Sequence, residues 1–182
     1  MERYRIIEGH GLYFLTFSIV QWLPVFITEV PCRIVTESLN FCHTHKNLRT
    51  NAFVIMPTHM HLIAFDEAFD SNCLQQALTD FRKFTGRRLA EYCAEHSPVS
   101  FGEVLHAEAG EDRERRFWQP SRHPEAIFSR EFWRQKVDYI HANPVRAGLV
   151  RQAEHWRFSS AAFWLNERNE VESDVILTAV EW

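Results

Sequence analysis

Two pairs of side chains in this sequence are spaced to do chemistry together: His59 with His61, and Tyr139 with Asn143. The histidines sit in the run Met56-Pro57-Thr58-His59-Met60-His61-Leu62-Ile63. On an extended strand, residues i and i+2 project from the same face. His59 and His61 then point together, while Met60, Leu62 and Ala64 point the other way, into a core. Two imidazoles on one rigid face are half of a metal site, because imidazole is the commonest protein ligand for transition metals. Two surface histidines beside a turn would read the same way in a chain with ten of them. The pair gains meaning only with a third ligand and a reacting group.

The second pair offers both. Between Ser129 and Asn143, residues Trp133, Val137 and Ile140 form the apolar stripe of a helix turning by about 100° per residue. Tyr139 lies roughly 120° from the middle of that stripe. Asn143, one turn later, shares nearly the same face as Tyr139. A phenol has a pKa of about 10 in water and needs help to attack a phosphate near neutral pH. A divalent cation held by two imidazoles and an amide oxygen would polarise the phosphoryl oxygen and stabilise the developing charge. Imidazole mixed with hard oxygen ligands and open positions suits Mg²⁺ or Mn²⁺ better than a closed zinc site. An amphipathic surface tyrosine packed by its ring is the plain alternative for Tyr139.

Several elements must position these groups. Tyr13 to Val20 is rich in aromatic and β-branched residues and predicts a strand that Pro24 prevents from continuing. Pro31 suits the first turn of a helix running to about His45 through Ile34, Val35, Leu39 and Cys42. Asn47 to Asn51 reads as a turn. Ala52–Met56 and His59–Phe65 then predict a hairpin around Pro57-Thr58. Ser71-Asn72 can cap a helix to about Ala94. Glu95 to Arg116 is polar and irregular, a candidate loop. Any strand between Phe117 and Phe128 is short or at an edge, given Pro120 and Pro124. Ser129 caps the third helix, which Pro144 should end near Asn143. A last short helix is expected over Glu154–Asn166. The order βαββαβ is that of an α+β, ferredoxin-like (split βαβ) fold. It predicts an antiparallel sheet with helices on one side and added C-terminal helices.

Length and composition agree with one domain over residues 1–182, with 151–182 as a C-terminal extension. No apolar run reaches the roughly 20 residues of a membrane span. The charged start, Met1 to Arg5, leads into no signal-peptide core, so a cytoplasmic protein with no membrane partner is expected. The four cysteines lack paired spacing and read as reduced thiols. His43 and His45 beside Cys42 would diverge on a helix, which favours a structural reading over zinc.

A net charge of −4 is low for a nucleic-acid enzyme. Local patches can still meet a phosphate backbone. The candidates are Arg82, Lys83, Arg87 and Arg88, then Arg113, Arg115, Arg116 and Arg122, and finally Arg146, Arg151 and Arg157. Phe81, Phe84, Phe117 and Trp118 lie among them, suited either to base stacking or to the core. Arg82, Lys83, Arg87, Arg88, Arg116, Trp118, Arg122 and Arg146 are the candidate DNA contacts.

These motifs, taken together, resemble the IS200-like tyrosine transposases of the HUH class, most closely the branch associated with repetitive extragenic palindromes (REP). The likeness runs from Tyr13-Phe14-Leu15-Thr16-Phe17 through Val54–Leu62 and Phe81-Arg82-Lys83-Phe84-Thr85. It continues in Phe117-Trp118-Gln119, in Tyr139-Ile140-His141-Ala142-Asn143-Pro144-Val145-Arg146-Ala147-Gly148 and in Trp156-Arg157-Phe158-Ser159-Ser160. The His-x-His alone is weak; joined to Tyr-x-x-x-Asn-Pro-Val-Arg-Ala-Gly it is highly specific.

The resemblance implies an HUH-endonuclease fold with His59, His61 and Asn143 as ligands of Mg²⁺ or Mn²⁺ and Tyr139 as nucleophile. It implies cleavage and rejoining of single-stranded DNA next to hairpins through a 5′-phosphotyrosine, in a bacterial, nucleoid-associated protein. Some relatives share sites across a homodimer, while the palindrome-associated branch can act as a monomer, the state favoured here. Thr58 stands where the family commonly has Asn, a change expected to touch the turn more than the metal. A domesticated, non-cleaving DNA- or RNA-binding protein is one alternative. A relaxase or replication-initiator nuclease is another, and the Asn-Pro-Val-Arg-Ala-Gly run argues against it.

Overall fold

The computed structural model describes residue 6 and residues 11–111, 114–120, 124–166 and 172–181. Strand β1, Leu12–Ser18, shows how one short sequence serves two faces. Tyr13, Leu15 and Phe17 point to one side and are buried without exception. Leu12, Phe14, Thr16 and Ser18 point to the other, and this series passes from apolar to polar along the strand. β2 (Leu48–Met56) and β3 (His59–Asp66) form a hairpin, and β4 is the two-residue Glu125–Ala126. All pairings are antiparallel in the order β2-β3-β1-β4, the split βαβ arrangement.

The register fixes where polar groups meet. Thr16 pairs with His61 and Ser18 with His59, while Val54 and Met56 oppose the same two histidines from β2. On the reverse face Leu15 meets Leu62 and Phe17 meets Met60. There α1 (Glu29–His45) and α2 (Ser71–His96) close a large core through Val35, Leu39, Leu74, Leu78 and Phe81. The expected placement of helices on one side holds for these two. α4 (Arg130–Arg146) crosses the opposite face, where Val137 and Ile140 pack on Phe14, Val54 and Ile63. The site face is therefore covered at its apolar end by the helix that carries Tyr139.

Several boundaries differ from expectation, each for a local reason. The supposed turn 47–51 is mostly strand: β2 starts at Leu48, and the irregularity there is a bulge between Thr50 and Ala52. Asn51 in that bulge accepts from the Trp133 indole at 2.7 Å and donates to the Thr178 carbonyl at 3.0 Å. Asp70, rather than Ser71, caps α2 by accepting from the Asn72 and Cys73 amides. The polar stretch 95–116 contains a helix, α3 (Val99–Ala107), anchored by the buried Leu105.

Pro144 does not end α4. Its buried ring sits in the last turn, and closure falls to Gly148 at φ 72°, whose amide donates to the Val145 carbonyl at 3.0 Å. The final predicted helix is instead a 3-10 turn at Ala153–His155 and a separate α5, Ala161–Leu165. Between them the backbone bonds to β2: the Ile55 amide donates to the Phe158 carbonyl at 2.8 Å and the Ser160 amide to the Phe53 carbonyl at 2.9 Å. The C-terminal segment thus covers the outer strand's free edge. No helix among the described residues is long and apolar enough to cross a membrane.

Candidate active site

The polar end of the α4-side sheet face brings His59, His61 and Tyr139 together. The His59 and His61 rings lie 4.8 Å apart between centroids, on adjacent same-face positions of β3. His61 is 5% exposed. Its Nδ1 sits 2.9 Å from the Thr16 hydroxyl, the cross-strand partner set by the register. Its Nε2 is buried without a hydrogen-bond partner among the described residues. Burial, reinforced by His59 and Lys136, pushes the His61 pKa down to about 3, and burial also lowers that of His59. Both rings are therefore neutral near pH 7 and keep a lone pair to offer a metal.

Thr58 does more than shape the turn. Its hydroxyl reaches His59 Nδ1 at 3.1 Å, so each histidine has a threonine hydroxyl on its Nδ1 side. Such contacts fix ring orientation and leave Nε2 for ligation.

Tyr139 stands over this pair. Its ring meets His61 at 5.2 Å and 65°, and Phe14 at 5.9 Å and 76°. It remains 39% exposed, so solvent and substrate can reach it. The Ser129 hydroxyl caps α4 by accepting from the Phe132 amide, and Ile140 pins the helix to the sheet, which sets the rotation that aims Tyr139 at His61. Asn143 donates from Nδ2 to the Tyr139 carbonyl at 2.8 Å, leaving Oδ1 as an oxygen donor. Among the described residues no three His, Cys, Asp or Glu side chains cluster to hold a metal. Two neutral imidazoles with an orphaned, buried Nε2 fit a cation whose remaining ligands are amide or phosphate oxygens.

Three neighbours were not evident from the sequence. Thr16 became visible only with the β1–β3 register. Lys136, one turn before Tyr139, lies 4.3 Å above the Phe14 ring and is held by both Glu125 oxygens at 2.9 and 3.0 Å. Trp22 packs edge-on to His59 at 5.9 Å.

The basic candidates separate. Arg82, Lys83, Arg87 and Arg116 line one groove of about 770 Å³ between α2 and the 114–120 segment, together with Arg115, Glu91 and Glu114. Arg82 donates to the carbonyls of Gln119 and Pro120 and so braces the groove's far wall. Arg88 turns to the α1–α2 side and pairs with Glu91 at 3.1 Å. Arg146 stacks on the Tyr139 ring at 5.6 Å, beside the site itself. Arg157 is engaged by Glu29 and Asp174. Arg113 and Arg122 lie outside the described residues. The stacking role expected for Trp118 gives way to a core role. It is 5% exposed, donates to the Thr85 hydroxyl at 3.0 Å and packs on Phe17 and Phe26, so only its edge lines the groove. Phe81 and Phe117 are likewise core residues, whereas Phe84 is exposed.

No family model matches the chain. It is 27% identical to a "Putative REP-associated tyrosine transposase" of Haemophilus influenzae over 150 residues, 82% of this chain and 79% of that one. A shorter stretch of 43 residues is 44% identical to a REP-associated tyrosine transposase of Escherichia coli, covering 24% and 26% of the two chains. The solved structure of a REP-associated tyrosine transposase bound to a REP hairpin superposes along the whole chain and 98% of its own, with a TM-score of 0.61 at 20% identity. Along most of its sequence the chain is thus similar to REP-associated tyrosine transposases, and it shares the fold of one of them.

Proposed function

We propose that this protein cuts and rejoins single-stranded DNA beside hairpins, with Tyr139 as nucleophile and Mg²⁺ or Mn²⁺ held by His59, His61 and Asn143. The observation that carries the reading is the His61 Nε2: buried, without a partner among the described residues, and on a ring packed against Tyr139. A buried polar atom left without a bond is costly unless something binds it.

Tyr139 Oη attacks the phosphorus of a backbone phosphodiester, giving up its proton to solvent. The new O–P bond forms as the bond to the 3′ oxygen breaks, and that oxygen takes up a proton. A 5′-phosphotyrosine and a free 3′-OH result. Attack by a 3′-OH reverses the step and frees Tyr139, so the bond energy is retained through the cycle. A bound cation would stabilise the charge developing on the phosphoryl oxygens. Neutral His59 and His61 would hold it through their Nε2 lone pairs, with Thr58 and Thr16 fixing the rings from their Nδ1 sides. Packing of Phe14 and the hold of α4 on the sheet keep the phenol oriented, which supplies the proximity such a displacement needs.

The hairpin part of the proposal draws on the relative solved with a REP hairpin and on the groove lined by Arg82, Lys83, Arg87 and Arg116. Tyr139 meets His61 within the same chain, so the reading needs no second copy to complete the site and favours a monomer. Phe158, Ser160 and Thr178 share backbone hydrogen bonds with β2, which supports reading 151–182 as an extension of the same domain.

The test is incubation with labelled hairpin DNA and Mn²⁺ or Mg²⁺, followed by a denaturing gel. A covalent adduct is expected with the wild type and none with Tyr139→Phe. An adduct that survives in Tyr139→Phe contradicts the assignment. Hairpin binding without any adduct favours the non-cleaving alternative.

A further inference from the structure

Trp22 has an unusual setting. Gln21 and Trp22 both adopt left-handed backbone, at φ 49° and 54°, a conformation that bulky side chains rarely take. Strain of this kind persists only where the surroundings impose it, and it gathers at functional sites. The surroundings here are explicit. Around the turn, the Ile19 amide donates to the Thr58 carbonyl at 3.0 Å and the Val20 amide to the Phe117 carbonyl at 2.9 Å. The Gln119 amide group donates to the Ile19 carbonyl at 3.1 Å, and Gln21 Nε2 reaches the Glu108 carboxylate at 2.5 Å. This bracing holds a large aromatic ring 55% exposed, edge-on to the ligand candidate His59.

Trp22 also opens onto a cleft of about 440 Å³ that it shares with Gln119 and Pro120. Pro120 lines the basic groove as well. Trp22 thus stands where a strand leaving the groove would pass on its way to His59 and Tyr139. A rigid, exposed indole binds a nucleobase by stacking and loses little conformational freedom in doing so.

We propose that Trp22 is a base-stacking platform for the nucleotide next to the scissile phosphate, positioning that phosphate at His59 and Tyr139. The inference rests on the strand-transfer reading for the location of the phosphate, but not for the stacking itself. Trp22 is a positioning residue: it holds the base and touches no reacting atom.

The test uses the full chain and an oligothymidylate of about ten nucleotides, since stacking tolerates any base and single-strand sites span several nucleotides. It is run in chelator so that no cleavage occurs. Tryptophan emission should fall as the oligonucleotide binds to the wild type, and Trp22→Phe should lose most of that quenching while binding nearly as tightly. Trp22→Ala should bind roughly tenfold more weakly. An oligonucleotide of abasic sugars should weaken wild-type binding by a similar factor and leave Trp22→Ala with no further loss. The inference is overturned if wild-type emission is not quenched, if Trp22→Phe quenches as fully as the wild type, or if Trp22→Ala discriminates bases from abasic sites as the wild type does. Stacking without a Tyr139 adduct in metal defeats the strand-transfer reading alone. An adduct with an indifferent Trp22 defeats this one alone.

Discussion

The two faces of the sheet are built from the same three long strands, yet they do different work. On the α1–α2 face Tyr13, Leu15 and Phe17 of β1 and Met60, Leu62 and Ala64 of β3 are apolar and buried, and the series turns polar at Asp66, where β3 ends. On the α4 face the apolar half, Leu12, Phe14, Ile63 and Phe65, gives way to Thr16, Ser18, His59 and His61. One helix covers that face where two cover the other. The lesson is a division of labour by strand parity: odd positions of β1 with even positions of β3 hold the fold, and the polar end of the opposite series, Thr16 and Ser18 with His59 and His61, holds the candidate chemistry.

Substitutions on the two faces should separate stability from activity. Phe17→Ala, in the dry core, should lose about 3–5 kcal/mol of unfolding free energy, read by urea denaturation. His61→Ala should unfold with far smaller change, because the ring it removes carries a buried Nε2 with no partner among the described residues, while adduct formation falls by more than about 100-fold. If His61→Ala unfolds as readily as Phe17→Ala, the division fails.

Thr16→Val probes the support for His61 on its own face. Losing the hydroxyl beside Nδ1 should weaken metal affinity or activity by roughly 10–100-fold, measured by titrating Mn²⁺ against adduct yield. No change would remove Thr16 from the site.

The buried histidines also predict a pH response. His61 and His141 have folded pKa values pushed down to about 3 and about 4, chiefly by burial. Above the ordinary value of about 6.5 both states are neutral and pH has no effect through these groups. As pH falls below that value the unfolded chain takes up protons first, so stability declines toward pH 4. His141 differs from His61 in being satisfied: its Nε2 lies 2.9 Å from the Ser160 hydroxyl, which also bonds to β2. His141→Gln should flatten the decline without touching the metal response; a slope unchanged in this variant would contradict the assignment. The smallest effect is expected at the groove. Lys83→Ala should lower the slope of log affinity against log salt by about 0.7–0.9, and an unchanged slope would place the DNA elsewhere.

How much of this was legible in the sequence differs by scale. Alternation alone gave the shared direction of His59 and His61, and helical periodicity gave the side of α4 that Tyr139 occupies. The meeting of the two was not available from either, because it depends on which face α4 covers. That follows from the pairing of Val137 and Ile140 with β1 and β2, a long-range choice. Thr16 was hidden for the same reason, since register is not written in local pattern. Pro144 misled because a proline rule describes an isolated chain, and here packing keeps the last turn helical. Trp118 among its arginines suited stacking and core equally, and its burial against Phe17 and Phe26 decides for the core.

The central claim is that His59 and His61 hold a divalent cation beside Tyr139. Electron paramagnetic resonance of Mn²⁺ bound to the chain tests it most directly, through hyperfine coupling to imidazole nitrogen. Coupling to two nitrogens is expected in the wild type, retained in Tyr139→Phe and reduced in both His59→Ala and His61→Ala. A Mn²⁺ spectrum with no nitrogen coupling, or one unaltered by either histidine variant, would contradict the account.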